Sequence, residues 1–149
     1  QRDRVAMTAA EVDELLASEH KVQLATNGHD GFPHLVTMYY VMLDGMITFW
    51  TYRTSQKALN LERDPRISCL VEVGEQYFDL KGVLVQGAAN RIDDPAAVIE
   101  IGRRISAVFS EPLAGDASTG YVEHAARKRF GYAVEPTRII TWDHTKLLS

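Results

Sequence analysis

Leu35-Val36-Thr37-Met38-Tyr39-Tyr40-Val41-Met42-Leu43-Asp44-Gly45-Met46-Ile47-Thr48-Phe49-Trp50-Thr51-Tyr52 is two β-prone runs around one polar pair. β-branched and aromatic side chains favour an extended chain. Asp-Gly between such runs signals a two-residue hairpin with both residues at positive φ. The first run, 35–43, is apolar or aromatic at almost every position. Read as a single strand, it has no face to offer water, so it is expected between two layers or at a subunit interface.

Strand signals continue on either side. Val22, Leu24 and Thr26 alternate with Lys21, Gln23 and Ala25, and Asn27-Gly28-His29-Asp30-Gly31 is turn chemistry. Upstream, Thr8 and Glu11 form a capping box for a short helix with Val12, Leu15 and Leu16 on one stripe. Downstream, 57–63 reads as a short helix closed by Asp64-Pro65. Ile67, Cys69, Val71 and Val73 then share one strand face, and Gly74-Glu75 is a turn. A long strand is expected from Tyr77 to Ile92, bent at Gly82 and Gly87. Asp94-Pro95 caps a helix carrying Val98, Ile101, Ile105, Val108 and Phe109 at helical spacing. Residues 113–120 read as a loop, 121–129 as a short helix with a basic end, and 132–134 with 138–142 as strand. About six hairpin-connected strands with three or four helices predict a mainly β (α+β) domain, a small antiparallel barrel with peripheral helices. No internal linker or repeat interrupts the chain, so 1–149 is read as one domain.

Composition narrows the function classes. The 149 residues carry 16 Lys and Arg against 20 Asp and Glu, a formal charge of −4, with no basic block that would suit nucleic acid. No apolar run is long enough to span a bilayer, so no membrane partner is expected. One cysteine, Cys69, excludes an internal disulfide framework and fits a reducing, cytoplasmic setting; it reads as core rather than as a nucleophile. The chain opens on Gln1, so the native protein is expected to begin earlier.

Nucleotide-loop, zincin and serine-hydrolase motifs are absent, and the five histidines show no metal-ligand spacing, so no metal is expected. One segment is chemically unusual. Arg53-Thr54-Ser55-Gln56-Lys57 enters a helix capped by Thr54 or Ser55, which puts Lys57 in the first turn, where the helix dipole disfavours a cation. Two readings fit. Arg53 and Lys57 either point into water, or they join the hydroxyls and free N–H groups as a receptor for phosphate. Beside them stand Phe49, Trp50 and Tyr52, and the run 36–40 as hairpin partner. That setting suits a ligand with a flat ring at one end and a phosphate at the other.

Gly31-Phe32-Pro33-His34-Leu35-Val36-Thr37, the Asp44-Gly45 hairpin, 47–51, Ser55-Gln56-Lys57-Ala58-Leu59-Asn60-Leu61, Asp64-Pro65-Arg66-Ile67-Ser68 and 83–89 occur in an order that resembles the pyridoxamine 5′-phosphate oxidase-like superfamily. The resemblance implies a six-stranded antiparallel split β-barrel of the FMN-binding type, working as a homodimer with cofactor sites at the interface. It assigns Lys57 to the cofactor phosphate, with Arg53, Thr54, Ser55 and Asn60 nearby. It also implies that Leu35, Val36, Thr37 and Met38 run along the ring system, that Trp50 and Thr51 line the near wall, and that Gln86 reaches in from the partner. After Trp142 the chain lacks the arginine of true pyridoxamine phosphate oxidases. Lys57-x-x-Asn60 looks more like the branch that uses the deazaflavin coenzyme F420. The implied activity is hydride transfer from reduced F420 to a small conjugated acceptor, with a tyrosine or His34 as candidate proton donor. An FMN-dependent oxidase or reductase, or a non-catalytic cofactor or haem carrier, is the alternative. The anionic tail of F420 requires local cations in an acidic chain, for which Arg53, Lys57, Arg63 and Arg66 are the candidates.

Overall fold

The computed structural model describes residues 2–108 and 115–149, with backbone only for 115–119. Seven strands are described: β1 (Lys21–Asn27), β2 (Pro33–Tyr39), β3 (Val41–Leu43), β4 (Met46–Tyr52), β5 (Arg66–Val73), β6 (Lys81–Ile92) and β7 (Arg129–Asp143). They form one antiparallel sheet in the order β2-β1-β5-β6-β7-β4-β3. Five helices accompany it: α1 (Arg2–Val5), α2 (Ala9–Ser18), α3 (Gln56–Arg63), α4 (Pro95–Ser106) and α5 (Gly115–Ala126).

The sheet order contains its own closure. β2 and β3 lie at opposite ends of the order, yet only Tyr40 separates them in the chain. Two residues one apart lie within about 7 Å of each other, so the sheet must curl until its two edges meet at this corner. Elsewhere the edges diverge, giving a split barrel. Tyr40 holds the corner: it is fully buried, its hydroxyl donates to Leu16 O at 2.6 Å, and its N–H donates to His20 O at 2.9 Å.

This corner corrects the reading of 35–43 as one strand, and with it the count of six. Both halves are apolar and β-prone, and no Gly or Pro marks the break. It also corrects the hairpin. Asp44 (φ 52°) and Gly45 (φ 74°) make the expected turn, but they join β4 only to Val41–Leu43. The run 36–40 is not β4's ladder partner; β2 pairs with β1. Within one chain β2 is covered on one face: Val36 and Met38 pack on the core, while Leu35 is 66% and Tyr39 43% exposed.

Inside the barrel Val22, Leu24, Phe49, Cys69, Val71, Val83 and Val134 meet, with Phe49 stacked on Tyr132 at 5.4 Å. α2 plugs one end through Val12, Leu15 and Leu16, the stripe its sequence shows. Burial pushes the Cys69 thiol up to about 12, as an inert core position requires. α4 and α5 pack on the outer side of the sheet. There Gly102 of α4 lies so close to the Trp50 ring that a Cβ would stand 2.3 Å from it.

Other differences are local. Residues 77–79 form a 3₁₀ turn, and β6 begins only at Lys81. A register shift occurs between Gln86 and Gly87, as the glycine suggested, whereas Gly82 makes room for Trp142. α5 begins at Gly115, within the segment read as a loop, and β7 is continuous past Pro136, which sits at the bulge. Phe109, Leu113 and Ala114 lie outside the described residues. Among the described residues, no helix is long and apolar enough to cross a membrane.

The N-terminal segment is clamped to the end of the chain, where Lys146 Nζ lies 2.7 Å from Glu11 Oε1 and also donates to Ala6 O. The hydrogen bond from Lys146 lowers the Glu11 carboxyl to about 2, helped by the capping bond from the Thr8 N–H. A depressed carboxyl contributes stability above its ordinary range and loses that contribution as the pH falls towards its folded value. Thermal melts recorded from pH 5 to pH 2 should therefore show a shallower acid-side decline for Glu11→Gln than for the parent chain. Gly102→Ala forces α4 off the Trp50 ring and should cost about 1–3 kcal/mol by urea unfolding.

Candidate functional site

Because β3 is so short, β4 pairs with it only along 46–48, while β7 pairs with β4 along 48–52. Beyond Thr48 the far edge of β4 has no strand partner among the described residues. The end of β2 stands across this gap, and α4 and α5 roof it. The resulting cleft, of about 370 Å³, is lined by Thr37, Met38, Tyr39, Trp50, Thr51, Tyr52, Lys57, Ile105, Tyr121 and Arg129. It is the split in the barrel, and its existence follows from the corner at Tyr40.

Lys57 enters from the first turn of α3. Ser55, not Thr54, is the cap, its Oγ accepting from the Ala58 N–H at 3.2 Å; Thr54 is exposed. The Thr51 hydroxyl donates to Ser55 Oγ at 3.1 Å and accepts from Lys57 Nζ at 3.1 Å. The ammonium is thus held at a helix N-terminus whose first N–H groups, those of Gln56 and Lys57, have no intrahelical partner. Partial burial lowers the Lys57 pKa, and no carboxylate among the described residues pairs with it. A desolvated cation beside orphan N–H groups is an anion receptor.

The structure gathers some of the sequence candidates and disperses others. Lys57, Thr37, Met38, Trp50 and Thr51 line the cleft, and Ser55 braces it from behind. Val36 packs on the core and Leu35 faces outward, so neither lines it. Asn60 is fully buried, its Oδ1 accepting from Gln56 and its Nδ2 donating to Thr26 Oγ1. Its amide therefore ties α3 to β1. Arg53 turns away: its guanidinium lies 4.9 Å from the Phe130 ring, in a separate cavity of about 320 Å³ with Arg127, Asp93 and Glu123. Gln86 lies on another face, 3.4 Å from Ser68 Oγ, in a polar depression with Asn27 and Arg66. His34 is half-buried and is not a lining residue, and its Nδ1 has no partner among the described residues.

Tyr39 and Tyr52, which the sequence sets beside the cluster, also line the cleft, whereas sequence reasoning missed Ile105, Tyr121 and above all Arg129. Arg127-Lys128-Arg129 was legible only as the basic end of a helix. What places Arg129 in the cleft is the register Tyr52↔Arg129, a pairing between residues 77 positions apart.

The sequence matches the family described as pyridoxamine 5′-phosphate oxidase over residues 8–143. It is 38% identical to Rv2991 of Mycobacterium tuberculosis, whose structure superposes with a TM-score of 0.91, covering 100% of this chain and 92% of that one. An F420 reductase shares the fold at a TM-score of 0.61 and 22% identity, with 85% of this chain and 94% of that one covered. HutZ, the haem storage protein of Vibrio cholerae, shares it at 0.68 and 16%, with 91% and 95% covered. No curated protein matches the sequence significantly. With its motifs, its split barrel and a family match running from the first capping residue to the last strand, the chain belongs to the pyridoxamine 5′-phosphate oxidase family.

Proposed function

We propose that the cleft binds the deazaflavin coenzyme F420 and that the protein is an F420H2-dependent oxidoreductase acting on a small conjugated acceptor. The observation that carries this reading is Lys57: a partly desolvated cation, unpaired by any described carboxylate, at a helix N-terminus beside an aromatic wall. A ligand with a phosphate and a flat ring fits both halves. When bound, the reduced deazaflavin would supply the hydride, with the acceptor's balancing proton drawn from solvent. The chain's own part is to bind and to shield. Lys57 and the α3 N-terminus would hold the phosphate, Thr51 and Ser55 fix the ammonium, and Trp50 under α4 would shield the ring from water.

A cluster of cations favours F420 over FMN. Arg63 donates to Asn27 O and Arg66 pairs with Asp64 at 2.8 Å, so these two serve the structure around α3 and β5. In their place Arg53, Arg91, Arg127 and Lys128 gather where α5 meets β4 and β7, against Glu123 and Asp93, the latter paired with Arg91 at 3.4 Å. This local excess, in a chain of net charge −4, suits the several carboxylates of the F420 tail.

The same proposal includes a homodimer in a cytoplasmic setting. On the outer face, Leu35, Ala25, Ser68, Gln86 and Arg138 align in one cross-strand row, and Leu70, Leu84 and Ile140 in the next. A second copy covering these rows would hide Leu35 and bring Gln86 to the other protomer's cleft.

Parallel titrations with F420 and FMN should show tighter binding of F420, and Lys57→Ala should weaken it by about tenfold or more, the loss of one charge-assisted contact. Tight FMN binding without F420 binding would move the assignment to the FMN-dependent alternative. Because burial lowers the Lys57 pKa, the ammonium deprotonates below the usual lysine range. Affinity should accordingly fall as the pH rises, starting below 10.5, and Lys57→Arg should remove that alkaline loss.

A further inference from the structure

The cleft holds a second cation with a different setting. Arg129 lies at the start of β7 with its guanidinium 4.0 Å from the Tyr52 ring and 4.9 Å from the Trp50 ring. Its Nη1 donates to Ala125 O at 2.9 Å, in the last turn of α5. Two ring faces and one carbonyl fix the plane of the guanidinium. No carboxylate among the described residues pairs with it. The remaining N–H groups form a held, un-neutralised fork of the shape that takes a carboxylate by two parallel hydrogen bonds.

Arg129 and Lys57 are not one receptor. Successive side chains of a strand point to opposite faces, so Thr51 lies on one side of β4 and Trp50 and Tyr52 on the other. Lys57 reaches Thr51, and Arg129 lies over Trp50 and Tyr52. The cleft wraps the open edge of β4 and takes in both sides. Two cations on opposite sides of a strand call for two anionic groups.

We propose that Arg129 binds the carboxylate of the hydride acceptor, so that the substrates are planar conjugated carboxylic acids. The assignment rests on the hydride-transfer reading for its word acceptor, while the carboxylate site itself rests on geometry alone. Arg129 is then the specificity residue: it selects acids over neutral rings of the same shape, and Lys57 remains with the phosphate.

The test uses 2-naphthoate and methyl 2-naphthoate as fluorescent probes on the full chain, with F420 affinity measured on the same samples. The acid should bind about tenfold more tightly than the ester, the worth of one charge-assisted contact. Arg129→Met should bring the two affinities together, Arg129→Lys should keep part of the preference, and F420 affinity should change by less than about twofold, a small fraction of one contact. Thermal melts establish that each variant is folded, and the lysine variant decides the matter if the methionine one is not. Equal binding of acid and ester by the parent chain overturns the proposal, as does a preference that survives Arg129→Met. So does a tenfold loss of F420 affinity in that variant, which would give the cation to the cofactor. Absent F420 binding with the acid preference intact would instead remove the hydride-transfer reading and leave the carboxylate site standing.

Discussion

The buried corner at Tyr40 is the constraint from which the rest of the molecule follows. Its phenol donates to a carbonyl at the end of α2 and its N–H to a carbonyl just ahead of β1, while the chain passes from one edge of the sheet to the other. Burial raises the phenol pKa above its usual range, so the hydroxyl remains a donor under all ordinary conditions. Joining the two edges through one residue makes the sheet curl. It also leaves β3 too short to cover β4, and the uncovered edge is the cleft. A structural side chain, distant from any chemistry, thereby determines where a ligand can enter.

Electrostatics then divides the surface in a way that net charge conceals. The chain carries four more acids than bases, yet the cleft is lined by Lys57 and Arg129 and no described carboxylate. The other basic residues near α3 are occupied. Arg66 is held by Asp64, whose carboxyl the guanidinium pulls well below its usual range, and Arg63 caps a strand carbonyl. What distinguishes the cleft is that its cations are partnered only by hydroxyls, rings and backbone, all neutral, so their charge is available to a ligand.

Much of this was legible in the sequence, and the rest failed for identifiable reasons. The capping box at Thr8, the I′ turn at Asp44-Gly45, the proline-led start of α4 and the kink at Gly87 are local, and each appeared where its residues put it. Lys57 was found because a cation in the first turn of a helix is locally odd. Asn60 was grouped with Lys57 on a shared motif, and a motif does not tell a side chain aimed at a ligand from one bonded, as here, to Thr26 across the core. Arg53 was grouped with Lys57 because they are neighbours in the chain, whereas the strand end sends their side chains to different cavities.

By itself, the sequence determined the elements, their caps and turns, the family, and the one cation whose position violates a local rule. These depend on interactions spanning a few residues, or on motifs in a fixed order. Tertiary structure alone decided that 35–43 splits into two edges of one sheet, that the edges part again beyond the corner, and that Arg129 lies across from Tyr52. These depend on which distant strands pair and in what register, and pairing energies are shared among all compatible partners until the closed sheet selects one.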